Sequence, residues 1–151
     1  MKKTENSKTI TYLLNGTITS IKNIVPLEQK LSKPELLVDK LTLPFGVLIG
    51  ITGDVKGQLI LSGDSNVFSS IAEVMFGMPL EGEMHNSFSG ELGNMIGGGL
   101  ATSIAESGIN IDITPPTIMS GQTTLSGYKK TISFQVVFPA SRNLSIYFLL
   151  N

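Results

Sequence analysis

Apolar residues recur at three- and four-residue spacing early in the chain, at Ile10, Leu13, Leu14, Ile18, Ile21 and Val25. That period predicts an amphipathic helix over residues 9–24, stopped by Pro26. Residues 27–42 mix charge with leucine and contain Pro34, which predicts a loop and an edge strand, where proline is tolerated. Two apolar runs follow, 45–51 and 57–63, around the Gly- and Asp-bearing turn 52–57. They predict a hairpin whose strands are covered on both faces or closely packed. Asp64 or Ser65 is placed to cap a second helix, with Val67, Ile71, Val74 and Met75 as its apolar stripe and Gly77 as its C-cap. Residues 78–86 are a short connection. A long helix is then expected from Ser87 to Ser107, closed by Gly108, and a short strand over 109–114, broken by Pro115 and Pro116. Strand-like runs at 117–126, 131–138 and 144–150 finish the chain, with turns at 127–129 and 139–143.

This order is not an alternation of strand and helix, so a parallel doubly wound sheet is not expected. Hairpins segregated from helices predict an α+β fold, a mostly antiparallel sheet with long helices packed on it, in one domain over residues 1–151. Each half reads as a helix followed by strands, which points to internal duplication without a block of identical residues.

Hydrophobic residues make up 41% of the chain, enough for a sizeable core. Eleven Lys and Arg against 12 Asp and Glu leave a net charge of -1, so the chain lacks the basic footprint of a nucleic-acid binder or of an anionic-membrane binder. The first nine residues are polar, and no apolar stretch approaches a bilayer span of about 20 residues. A cytoplasmic protein is expected. The chain has no cysteine, which excludes disulfides, thiolate metal sites and cysteine nucleophiles. A single histidine, His85, leaves little room for a catalytic triad and reads as a solvated loop residue.

The chemistry concentrates in the helix 87–107. On a step of about 100° per residue, Leu92, Ile96, Leu100 and Ile104 form a core stripe. Ser87, Asn94 and Gly98 fall within about 60° of Glu91 on the other side. Five glycines, Gly90, Gly93, Gly97, Gly98 and Gly99, lie inside the same helix. At about 0.8–1 kcal/mol each they cost roughly 4–5 kcal/mol relative to alanine, so something must offset them. Gly93 and Gly97, on and beside the core stripe, allow another backbone close. Gly98 leaves a flat surface beside Glu91 and Asn94. A phosphate loop is not the explanation, because GlyGlyGly has no preceding strand and no Walker lysine. One carboxylate and one amide are too few ligands for a metal.

SerPheSerGlyGluLeuGlyAsn at 87–94, with Pro116 after 21 intervening residues, resembles the Asp/Ser-x3-Glu-x2-Asn…Pro signature of the CheC/CheX phosphatases of bacterial chemotaxis. AsnMetIleGlyGlyGly at 94–99, AspIleThrProProThr at 112–117 and GlyAspValLysGly at 53–57 are also similar to the family forms. The resemblance covers residues 45–120 well. The CheC branch carries its Glu/Asn pair on both duplicated helices. Here no glutamate stands between Glu5 and Glu28, so the chain is more similar to CheX, with one site.

The resemblance implies a pseudo-duplicated CheC-like fold and hydrolysis of the aspartyl phosphate of a phosphorylated CheY-type response regulator. Such a catalyst needs to place a water in line with phosphorus rather than supply a nucleophile. Asn94, with a donor and an acceptor, suits that task. By resemblance Glu91 pairs with the regulator's active-site lysine. Ser87 hydrogen-bonds the partner or caps the helix start; both stay open. Pro116 is expected to end a strand beside the helix and shape the surface. The chain is expected to bind no cofactor, the required Mg²⁺ being supplied by the regulator. The resemblance also implies a homodimer formed through sheets, and the sparsely charged runs 131–138 and 144–150 would make hazardous free edges. The rival reading is a non-catalytic interaction module on the same fold, in the flagellar switch or another two-component pathway.

Overall fold

The computed structural model describes residues 2–37, 40–78 and 80–151. In chain order they form α1 (Lys2–Ile24), β1 (Lys30–Leu31), β2 (Glu35–Leu37), β3 (Leu41–Gly53), β4 (Gly57–Ser62), α2 (Ser65–Phe76), α3 (Glu83–Ala105), β5 (Ile111–Ile113), β6 (Thr117–Leu125), β7 (Lys130–Phe138), a 3-10 turn (Pro139–Ser141) and β8 (Arg142–Leu150). The fold is the expected α+β arrangement, and every strand pairing is antiparallel.

Local chemistry accounts for the boundaries. Asp64 accepts a hydrogen bond from Val67 N at 3.1 Å, and Gly77 ends α2 in the left-handed region at φ 75°. Pro44 cannot donate to a ladder, and the pairing of β3 with β6 shifts register between Leu43 and Phe45. The Asp54 carboxylate accepts from Asn110 N at 2.8 Å, while Asp54 N donates to Asn110 O at 2.9 Å. The GlyAspValLysGly turn is thus a clasp that fixes where the chain goes after α3.

The strands run β1-β7-β8-β4-β3-β5, with β2 also on β7 and β6 also on β3. Exchanging each strand of β1–β4 with its counterpart in β5–β8 reverses this order onto itself, a pseudo-two-fold symmetry of the strand order. The helices obey the same exchange. At one constant offset, buried Leu13, Thr17, Ile21 and Val25 fall on buried Leu92, Ile96, Leu100 and Ile104.

The main core joins α1, α2 and α3 to one face of the sheet. A smaller cluster, Leu41, Leu43, Ile60 and Leu149, lies on the other. Alternation splits β4 between them, with Leu59 and Leu61 in the first and Ile60 in the second. The hairpin strands are therefore covered on both faces, as their continuous apolar runs predict.

Three expectations need correction. Residues 131–138 and 144–150 are not edges: β7 lies between β1/β2 and β8, and β8 between β7 and β4. Their apolar character reflects burial, and the outer strands are β1, β2, β5 and β6. His85 is not in a solvated loop. Helix α3 begins at Glu83, and the half-buried His85 ring sits edge-on to Phe45 and Phe68, with centroids 5.1 and 5.9 Å away. Val74 is not part of the α2 core stripe but is 46% exposed.

Candidate active site

Helix α3 lies over β3, β5 and α1, and its glycines are where these neighbours come close. A Cβ on Gly93 would stand 2.7 Å from Val47 Cγ1 on β3. One on Gly97 would meet Ile113 Cδ1 at 3.3 Å and Ile49 Cγ2 at 3.4 Å. One on Gly99 would collide with Ser20 Oγ of α1 at 2.2 Å. Three of the five helix glycines thus offset their propensity cost by tight packing. Gly98 differs, because a Cβ there would meet nothing within 4 Å. Its place on the open side of the helix matches the angular expectation.

Leu92, Ile96 and Leu100 are fully buried and Ile104 is 1% exposed. They anchor one side of α3 so that the other is held rigidly outward. Ser87, Glu91 and Asn94 are all exposed there. They lie at i, i+4 and i+7, one above another. None of the three makes a side-chain hydrogen bond or ion pair within the described residues, so Glu91 offers a free carboxylate and Asn94 a free amide donor and acceptor. Ser87 is inside the helix rather than at its start, since the N-cap position is Gly82. Its expected alternative role as a cap is therefore ruled out.

Pro116 lies between β5 and β6, half-buried, and a Cβ on Gly90 would stand 3.5 Å from its Cγ. It walls the helix on the side nearer the sheet edge. Thr114 holds this loop in place. Its hydroxyl accepts from Gly50 N at 2.8 Å and its own N–H donates to Gly50 O at 3.0 Å. The five residues expected to form the site are thus on or against one helix, with Pro116 displaced toward its flank.

Sequence patterning missed one neighbouring feature. Phe76 and Met84 are 58% and 45% exposed, and they line an apolar groove that also contains Ser87 and Glu91. The signal was present as apolar residues at a helix end and in a connection, where periodicity says nothing about what an apolar side chain meets. Among the described residues no group of three or more His, Cys, Asp or Glu side chains could hold a metal ion. Among the described residues no helix is long and apolar enough to cross a membrane.

Comparison with known proteins gives this geometry a context. The family model for the chemotaxis phosphatase CheX matches residues 45–138. The CheY-P phosphatase CheX of Thermotoga maritima is 32% identical over 122 residues, which cover 78% of each chain. A chemotactic CheC-like protein from Shewanella oneidensis MR-1 shares the fold at a TM-score of 0.80, with 22% identity over 97% of this chain and 99% of that one. A CheX–CheY complex with BeF3 and magnesium from Borrelia burgdorferi also shares it, at a TM-score of 0.77 and 20% identity over 94% and 97% of the two chains. A family match that spans α3 and the strands beneath it, with a relative identical at about a third of positions over most of both chains, places this chain in the chemotaxis phosphatase CheX family.

Proposed function

We propose that this chain hydrolyses the aspartyl phosphate of a phosphorylated CheY-type response regulator, with Asn94 and Glu91 as the residues that carry the reaction. The observation behind this reading is the pair itself. A free amide and a free carboxylate stand one turn apart on the exposed side of a helix whose other side is fixed in the core. The Thermotoga maritima relative is a CheY-P phosphatase, which supports the same substrate class.

An acyl phosphate is a reactive bond, so the catalyst contributes placement more than nucleophilicity. The water oxygen attacks phosphorus, the bond from phosphorus to the aspartyl oxygen breaks, and the products are inorganic phosphate and a free aspartate. Asn94 accepts a hydrogen bond from the attacking water through its side-chain oxygen and donates from its NH₂ toward the phosphoryl oxygens. Glu91 docks on the regulator's active-site lysine and sets the register of α3 across the interface. Direct contact between Glu91 and the phosphoryl group would be repulsive, which supports a positioning role. Gly98 and Pro116 leave and bound the landing surface, and Ser87 hydrogen-bonds the partner. The magnesium ion belongs with the regulator. The Borrelia burgdorferi complex contains CheY, BeF3 and magnesium together, in keeping with that assignment. On this reading the enzyme works in the cytoplasm.

A homodimer fits the same reading, with β6 in the place first expected of β7 and β8. β6 pairs with β3 on one side, and its nine residues carry no charge and no proline. Such an edge is open to antiparallel pairing with its own copy about a two-fold axis.

The decisive experiment follows phosphate release from a phosphorylated CheY-type regulator. Asn94→Ala is expected to lower stimulated hydrolysis by about 100-fold or more, with thermal unfolding unchanged. Turnover near that of the parent would end the assignment of Asn94, and a parent that releases phosphate no faster than the regulator alone would favour a non-catalytic interaction module.

A further inference from the structure

The outer surface around the end of α2 and the start of α3 does not behave like ordinary solvated helix. Phe76, Met78 and Met84 are 58%, 52% and 45% exposed. They border a groove of about 710 Å³ whose floor includes Phe88. The Phe76 ring meets Phe88 edge to face, with centroids 5.5 Å apart. Isolated exposed apolar residues need no explanation, but a contiguous group around a concavity marks an interaction surface. The polar residues of the groove are Glu83, Ser87 and Glu91, which follow one another at four-residue spacing along one line of α3. Two of them are carboxylates, and α3 carries no lysine or arginine.

We propose that this groove is the docking site for the phosphorylated regulator, taking an apolar side chain that flanks the regulator's basic active-site group. The proposal rests on the phosphatase reading above and deepens it. The groove shares Ser87 and Glu91 with the proposed site, so it continues the surface that a partner engaged by Glu91 meets. Its carboxylate rim suits a partner whose apolar contact is bordered by positive charge. Methionines at its mouth adapt to differing apolar shapes, which suits recognition of a mobile surface. Asn94 then serves the chemical step, and the groove serves affinity and orientation.

Phe76→Ala and Met84→Ala test the division of labour. Steady-state hydrolysis of a CheY-type regulator phosphorylated by an acyl phosphate donor is expected to show KM raised about tenfold for each variant, with kcat within twofold and melting temperature nearly unchanged. Since the chain has no cysteine, Met84→Cys can carry a single environment-sensitive fluorophore. Addition of regulator loaded with beryllofluoride and magnesium should shift its emission to the blue, while the same label at Glu106→Cys should not respond. An unchanged KM in both alanine variants, alongside an inactive Asn94→Ala, overturns the groove and leaves the phosphatase reading standing. Full activity of Asn94→Ala overturns the reading beneath it. A change in oligomeric state of Phe76→Ala with KM unaltered assigns the groove to a second copy of the chain and overturns the proposal.

Discussion

The Ser20 hydroxyl on α1 donates to the Ile96 carbonyl oxygen on α3 at 2.9 Å, and it sits in the space that a side chain on Gly99 would fill. This contact holds α3 from its flank against α1 and leaves the side that carries Glu91 and Asn94 open. Gly99→Ala would place Cβ 2.2 Å from Ser20 Oγ and 3.0 Å from Ser20 Cβ. Rotation of the hydroxyl cannot relieve both. Despite a propensity gain of about 1 kcal/mol, the variant should lose roughly 1–3 kcal/mol of stability. Ser20→Gly should recover part of that loss in the double variant. Urea unfolding of the four proteins in the cycle checks it, and strict additivity would show that the two positions are not coupled.

Gly93 and Gly98 should respond in opposite ways. Gly93→Ala drives a methyl group to within 2.7 Å of the fully buried Val47. A fall of several degrees in melting temperature is expected, about 2–4 °C per kcal/mol. Gly98→Leu meets open space and improves helix propensity. Its melting temperature should hold or rise while hydrolysis of the regulator phosphate falls. Unfolding of Gly98→Leu in differential scanning calorimetry would contradict the open geometry.

Glu91→Gln keeps the shape of the side chain and removes its charge. If Glu91 meets a lysine of the regulator, KM should rise about tenfold, and the parent's sensitivity to salt should largely disappear in the variant. Measuring KM at low and high ionic strength for both proteins separates charge pairing from mere shape. An unchanged salt slope would remove the lysine from the account.

The β6 edge makes a prediction about assembly. Gln122→Lys places a charge in an uncharged edge strand, a substitution that discourages edge pairing. Light scattering behind size exclusion should give a dimer for the parent and a species of about 16 kDa, the chain's own mass, for the variant. A parent that is monomeric at every micromolar concentration rules the dimer out.

Much of this molecule is legible in one dimension because single residues enforce it. Asp64 and Gly77 mark both ends of α2 by capping chemistry. The stripe Leu92, Ile96, Leu100 and Ile104 fixes which side of α3 is buried, and so which side carries Glu91 and Asn94. What escaped depends on partners distant in sequence. Apolar β7 and β8 look the same whether they are central or at an edge, and only the pairing order decides. His85 joined α3 because Phe45 and Phe68 supply a place for its ring. Phe76 lies outside the apolar stripe read for α2 and Met84 falls in the connection read over 78–86, so their exposure together at one groove shows only in the fold.

Because the strand order maps onto itself, the two halves also present equivalent helix faces. At the offset that aligns the buried stripes, Asn15 of α1 falls on Asn94 and Tyr12 on Glu91, and all four are exposed. The N-terminal half thus carries an amide at the matching position and a phenol where the carboxylate would stand. The valency of the molecule toward its regulator is set by surface letters rather than by architecture. The N-terminal half therefore presents a second exposed face one side chain short of the Glu/Asn pair, and Tyr12→Glu would supply it without disturbing a single core residue.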